Sequence, residues 1–310
     1  MKKRLLSFLL TGSLLLMLLP TAAFAEDTEA LSGGELLTKD NISTYVNKDL
    51  GGGSYVLSDD ITVESGSLKF NGTASLDLNG HTLTFTAPAE TQVPFGSGGF
   101  SFVLHAGIVV SSGSMTLTDS SSGRSGVLDA RGTENVGVLV TPNAKFTMEG
   151  GTITNSTSGD NHGAALAVYS ATASMTGGKI TGEKDYGVLT VASSSTPSSF
   201  TMDGEAEISD CGAGIDSSLS QGGGICIMSN CNLTINGGTI TNCAANKGGG
   251  VYFGGNTFTM SGGSITNCKA GNGGGVYMTG RTFNLSGGTI SGCESNGGGG
   301  IYAADCPGTT

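Results

Sequence analysis

Four cysteines recur at one place in a repeated phrase. LTINGGTITNC, FTMSGGSITNC and FNLSGGTISGC end at Cys243, Cys268 and Cys293, a step of 25 residues, and the looser FTMDGEAEISDC ends at Cys211. Thiols at a fixed step offer three chemistries: a reduced buried ladder, bridges between neighbouring coils, or metal ligation. Stacked strands bring equivalent Cα atoms to about 4.8 Å, inside the ~4.4–6.8 Å range a disulfide tolerates. In-register stacking also aims neighbouring Cβ vectors in parallel, which suits a bridge badly, so the reduced ladder is the favoured expectation. Zinc asks for a tetrahedral cluster, and a straight ladder is not one. The total of seven cysteines is odd, so at least one thiol has no intramolecular partner. Cys231 and Cys306 fall near a common turn position, and Cys226 is expected to face outward.

Each repeat continues into GGGVY, GGGVY or GGGIY, which places Tyr252, Tyr277 and Tyr302 at one outward position on successive coils. Such a column either stiffens a sheet face or offers flat apolar area with polar tips to sugar rings. These three tyrosines are the candidate ligand-binding residues. The GGG runs are read as turn glycines, because neither a helix start nor Lys-Ser/Thr follows them as a phosphate loop requires. His81, His105 and His162 are scattered and read as turn or surface residues, and no nucleophile elbow accompanies them. No catalytic residue, metal ligand or cofactor is assigned.

These columns require elements that stack in register, and a period in the twenties is the signature of a solenoid. From Tyr55 onward YVLSDDITV and SLDLNGHTLTF alternate apolar and polar residues between Gly and Asn-Gly breaks. In the clear repeats Phe258, Met260, Ile265, Val276 and Met278 point inward, while Thr259, Ser264, Thr266 and Tyr277 point outward. Cys268 is placed inward at the turn ending its strand. Successive coils then form ladders: Leu233, Phe258, Phe283; Ile235, Met260, Leu285; Ile240, Ile265, Ile290. Thr239, Ser264, Thr289 and Thr241, Thr266, Ser291 form two outer hydroxyl columns. The expectation is an all-β, right-handed parallel β-helix of about ten coils, three strands and about 25 residues to each, over 53–310.

The ends differ. Lys2, Lys3 and Arg4, an apolar run from Leu5 to Leu19 and Ala23-Phe24-Ala25 make residues 1–25 a signal peptide. The protein is therefore expected to be secreted or displayed at the cell surface, without membrane insertion. Losing this leader's three basic residues takes the formal charge from −11 to −14, which argues against nucleic acid and anionic membranes as partners. Gly 54 of 310 exceeds the usual ~7%, and with no Gly-X-Y period the excess serves turns. Residues 26–52 are read as an N-terminal cap. Leu36, Leu37, Ile42, Tyr45, Val46 and Leu50 predict a short amphipathic helix over about 38–48, capped by Thr38 or Asp40. The chain stops at GGGGIYAADCPGTT where the repeat leads one to expect another F-x-M-x-GG segment. A truncated end, or end-to-end self-association through an uncapped coil, is the expectation.

SLDLNGHTLTF followed by LTDSSSGRSGVLDARG resembles the early coils of bacterial proteins with the pectin-lyase-like β-helix fold. ITNCKAGNGGGVYM at 265–278 is similar to the repeat of chlamydial polymorphic outer-membrane proteins, with Ile265 at that family's Phe, Cys268 at its Asn and GGGV for GGAI. The resemblance covers about 54–305 for the fold and 205–305 for the repeat. It implies a surface or adhesin-type role, although that family's C-terminal membrane barrel has no counterpart here. Carbohydrate-cleaving enzymes share the fold. Asp129, Asp160, Asp185 or Asp203 could fall on one face, and Arg124 or Arg131 could serve a lyase as base, GVLDARG being similar to such relatives. Spacing selects no acid–base pair, and the polygalacturonase-type motifs do not occur as a set. The leading expectation is a non-catalytic surface protein whose partner is a polysaccharide or a host or wall glycan. A polysaccharide lyase or glycoside hydrolase and a plain spacer are the alternatives.

Overall fold

The computed structural model describes residues 34–95, 100–130, 135–154, 163–182, 186–212 and 221–304. The expected signal peptide lies outside them, as do Arg131, Asp160, His162, Asp185 and Cys306. Residues from Glu35 onward form one unit. The architecture is all-β, with long parallel sheets that run through successive coils. The first sheet begins with Glu35–Leu37 and Gly53–Leu57 and ends with Thr257–Met260 and Thr282–Leu285. A second runs from Ile61–Val63 to Thr289–Ser291, and a third from Asp49–Leu50 to Ile301–Ala303. The chain visits the three in turn, so each strand pairs with its equivalent one coil away. This is the arrangement of a parallel β-helix.

The register matches the expected ladders. Leu233, Phe258 and Phe283 pair in sequence, as do Ile235, Met260 and Leu285, and Ile240, Ile265 and Ile290. All except the members in the final coil are buried. Burial of a continuous aliphatic column on each sheet is what holds coils that could not fold singly. A turn with positive φ separates the first and second sheets at Gly238, Gly263 and Gly288 (80°, 73° and 84°), where a side chain would be strained.

Three expectations need correction. First, residues 38–48 do not form a helix. Glu35–Leu37 pairs with Gly53–Leu57, Ile42–Thr44 makes a single 3₁₀ turn, and Asp49–Leu50 joins the third sheet. Asn41 explains the difference. Its Oδ1 accepts from the Thr38 N–H at 2.8 Å and its Nδ2 donates to the Leu36 carbonyl at 2.8 Å, folding the segment into a corner. Leu37, Ile42 and Leu50 are thereby delivered into the common core.

Second, coil length is not uniform. Thr73 stacks on Ser114 after 41 residues and Thr147 on Ser174 after 27, before Thr239 stacks on Ser264 after 25. The longest coil contains an antiparallel hairpin, Glu90–Phe95 against Phe100–Val110. Third, the last coils have four strands. Ala244–Lys247, Lys269–Asn272 and Glu294–Gly297 form an additional parallel sheet between the second and third. These segments lack apolar alternation and are held by pairing between coils.

Candidate functional site: the residue columns of the last coils

Tyr252, Tyr277 and Tyr302 are brought together in one register column of the third sheet. Val276 and Met278 flank Tyr277 and enter the core, so alternation sends Tyr277 to the opposite face. The rings stack nearly flat. Tyr252 and Tyr277 have centroids 5.6 Å apart at 9°, and Tyr277 and Tyr302 5.3 Å apart at 14°. Lys247 Nζ lies 5.4 Å from the Tyr277 centroid, within cation–π range. Tyr252 Oη and Thr279 Oγ1 are 3.5 Å apart. Tyr277 has a ring on each face and is only 7% exposed. Between the rings the column therefore presents edges and phenol tips, in a repeating order, rather than open faces.

This face is apolar upstream. Val109, Leu139, Ala167, Leu189 and Cys226 belong to a second buried cluster, against which Tyr252 packs. Cys226 pairs with Tyr252 on this outer side, as expected, yet it is fully buried rather than open to solvent. Burial pushes the Cys226 thiol well above its ordinary pKa. Cys231 opens the strand Cys231–Ile235 and sits in the main core, where burial raises its pKa to about 12.

The second sheet carries the hydroxyl columns. Ser264 Oγ donates to Thr239 Oγ1 at 3.1 Å, and Thr266 Oγ1 to Thr241 Oγ1 at 3.1 Å. Thr239, Thr241, Ser264 and Thr266 are half-buried, while Thr289 and Ser291 are exposed. Upstream the same sheet alternates charge, with Lys179 Nζ 3.0 Å from Glu207 Oε1.

Cys211, Cys243, Cys268 and Cys293 turn inward where the second sheet ends, as the sequence predicts, and all four are free thiols. Hydrogen bonding with Cys211 and then burial hold Cys243 well above the usual thiol range. Hydrogen bonding with Cys243 and then burial raise Cys268 to about 12. Such thiols remain protonated at neutral pH and are poor nucleophiles. The preceding residues Asp210, Asn242, Asn267 and Gly292 all have positive φ (55°, 56°, 55° and 63°). Asp, Asn and Gly are the residues that tolerate this conformation, a signal the period alone does not carry.

The glycine triplets are close-contact corners. In 248–250, Gly248 has φ +68°, and a Cβ on Gly249 would lie 2.5 Å from the Lys269 carbonyl oxygen. A Cβ on Gly250 would lie 2.6 Å from Ile265 Cγ2. Their N–H groups donate to the next coil: Gly248 to Asn272, Gly249 to Gly273 and Gly250 to Gly274. No free N–H nest for an anion is left at this corner.

The two acidic candidates among the described residues, Asp129 and Asp203, do not converge. Asp129 lies buried on the second sheet, whereas Asp203 follows the first-sheet strand Ser198–Met202 and accepts from the Gly204 N–H at 2.7 Å. Arg124 sits in the loop before Val127 with φ +46°. His81 lies 3.4 Å from Asp60, and His105 Nε2 lies 3.8 Å from Glu90. Asp119 was not among the expected residues. Its Oδ1 accepts from Gly80 N at 2.8 Å and Ser121 N at 3.2 Å, and its Oδ2 from Gly126 N at 2.6 Å. Burial, the largest single influence, pushes its pKa up, but the hydrogen bonds from Ser121, Gly126 and Gly80 together hold it below the ordinary value. Asp119 is a corner staple. Among the described residues, no three His, Cys, Asp or Glu side chains gather as a metal site. No helix there is long and apolar enough to cross a membrane. No protein family, curated protein or solved structure matches the chain.

Proposed function

We propose that the chain is a secreted or surface-displayed, right-handed, pectin-lyase-like β-helix that presents a repetitive face to a glycan or protein, in an adhesin-type role without catalysis. The observation supporting this reading is the identity of the columns. Tyrosine edges on one sheet and Thr/Ser hydroxyls on another recur in register over successive coils. A polymer with its own short repeat is the ligand such an array suits, because many weak polar contacts add along it. The right-handed sense rests on the preference of parallel crossovers, and the extracellular setting on the leader-like residues 1–25.

The test is retention of the purified chain on plant, mucin and bacterial-wall polysaccharides, with and without calcium, while reducing and unsaturated ends are assayed in the same tubes. The expected result is retention on at least one polymer without product, weakened at least tenfold by Tyr277→Ala or by paired Thr241→Val and Thr266→Val. Product release would assign the chain to the lyases or hydrolases instead, and no retention on any polymer would remove the glycan.

A further inference from the structure

The inward cysteines stand in an unusually strict line. The Ala244 N–H donates to the Cys211 carbonyl, Lys269 to Cys243 and Glu294 to Cys268, each at 2.9 Å, so the four residues occupy one rung position on successive coils. Their side chains share one orientation. Each Sγ lies against the carbonyl two residues earlier: Ser209 at 3.1 Å, Thr241 at 3.3 Å, Thr266 at 3.3 Å and Ser291 at 3.5 Å. Thiols with the same contacts in every coil are related by the coil translation, so neighbouring sulfurs are separated by about the strand spacing of ~4.8 Å.

Glycine keeps the ground beside this line open. A Cβ on Gly187 would come within 3.1 Å of Cys211 Sγ, and one on Gly224 within 3.3 Å of Cys243 Sγ. The corresponding distances are 3.3 Å for Gly250 and Cys268 and 3.4 Å for Gly275 and Cys293. Every sulfur thus faces a residue with no side chain. Cys211, Cys243 and Cys268 are buried, and Cys293 is partly so.

A metal–thiolate bond is about 2.3 Å long, so two collinear bonds span about 4.6 Å, close to the strand spacing. Soft thiolates select monovalent d¹⁰ ions such as Cu(I), for which two-coordinate linear binding is a normal geometry. We propose that the Cys211–Cys243–Cys268–Cys293 line is a binding track for soft, linearly coordinating monovalent cations, one ion between Cys211 and Cys243 and one between Cys268 and Cys293. Each first binding step is two thiols plus one cation giving a bis-thiolate complex of charge −1 and two protons released to solvent. The metal displaces the protons, as coordination of a thiol does generally. Each sulfur serves one ion, because a thiolate does not bind two cations on opposite sides, so four thiolates holding two cations carry a net −2. The same straightness that makes the line unsuitable for tetrahedral zinc makes it suitable for this class.

Ag(I), which does not change oxidation state under these conditions, is the probe. The whole chain, reduced and freed of metal, is incubated with Ag(I), passed over a thiol-free desalting column and counted by native mass spectrometry. X-ray absorption at the silver edge then reads the coordination. The expected result is up to two silver ions per chain, each with two sulfur neighbours. Retention should persist in Cys226→Ser/Cys231→Ser/Cys306→Ser and fall at least tenfold in Cys243→Val/Cys268→Val. Equal silver in both variants would show adventitious thiol binding only and overturn the proposal. Three or four sulfur neighbours per silver in the unaltered chain would overturn it too, whether or not the valine variant folds.

Discussion

The coils before Cys211 and those after Gln221 solve one problem in two ways. Upstream, coil length varies from 20 to 41 residues, and corners are fixed by individual side chains. Asp119 gathers the N–H groups of Gly80, Ser121 and Gly126, and Asp77 accepts from Asn79 and Ser120, both at 2.9 Å. Downstream, the period is 25 residues and the corners are columns of one residue type: Gly on Gly, Thr on Thr or Ser, Tyr on Tyr, Cys on Cys. Strict repetition at ~4.8 Å admits only residues that can stack on themselves. Like charges cannot, which is why the charged position of the fourth sheet runs Ala244, Lys269, Glu294, with Lys269 Nζ 3.5 Å from Glu294 Oε2. A repeated corner is regular but unforgiving, whereas an individual corner depends on one group.

The largest contrast is at glycine. Gly249→Ala is expected to cost about 3 kcal/mol, because its Cβ would meet backbone oxygen atoms of the next coil at 2.5 and 2.7 Å. Gly123→Ala in the upstream loop, whose Cβ would meet only Ser125 Oγ at 3.8 Å, is expected to change stability by under ~0.5 kcal/mol. Urea unfolding of both variants checks this, and equal losses would erase the distinction drawn between the two regions.

Asp119→Asn comes next, at about 2 kcal/mol, since it weakens three hydrogen bonds to a charged acceptor. The sign with pH follows from its lowered pKa. The stabilisation is present above the unfolded carboxyl's ordinary value of 3.8 and is lost as pH falls through the lower folded value. The acid limb of a plot of Tm against pH should therefore be shallower in the variant. Identical limbs would remove Asp119 from the account.

Tyr277→Leu retains apolar area but removes two stacked partners, with an expected loss of about 1 kcal/mol. The thiols act only at alkaline pH. The folded Cys268 pKa of about 12 exceeds the ordinary thiol value of 9.0, so its stabilisation is complete below pH 9 and declines as pH rises toward 12. Tm should fall across that window, and fall less steeply in Cys268→Val.

The sequence made the repeated columns legible because their period fixes the register and apolar alternation fixes the faces. Ile240, Ile265 and Ile290 could be placed without coordinates, as could the inward cysteines. The fourth sheet escaped the same reading. Ala245 and Ala270 are its buried positions, but they sit among Ala, Asn, Gly and Lys without an alternating pattern. Its strand character comes from the neighbouring coil. The N-terminal corner escaped because helical spacing of Leu37, Ile42 and Tyr45 also fits a strand, a turn and a strand, and Asn41 decides between them. For the candidate site, the tyrosine column was legible, but the ring-on-ring contact that occupies its faces was not, since it depends on side-chain tilt.

The central claim is that the downstream coils are interchangeable units whose only requirement is register. The direct measurement is thermal unfolding, followed by far-UV circular dichroism, of two deletions in the whole chain. Removal of 257–281 takes out one 25-residue period and rejoins Asn256 to a Thr-Phe pair like the one it lost. Removal of 257–282 takes one residue more and turns the Phe283 column toward the wrong face. The account predicts a cooperative β-rich transition within about 5 °C of the unaltered chain for the first. For the second it predicts a much lower or non-cooperative transition. Equal behaviour of the two deletions, whether both fold or both fail, would contradict it.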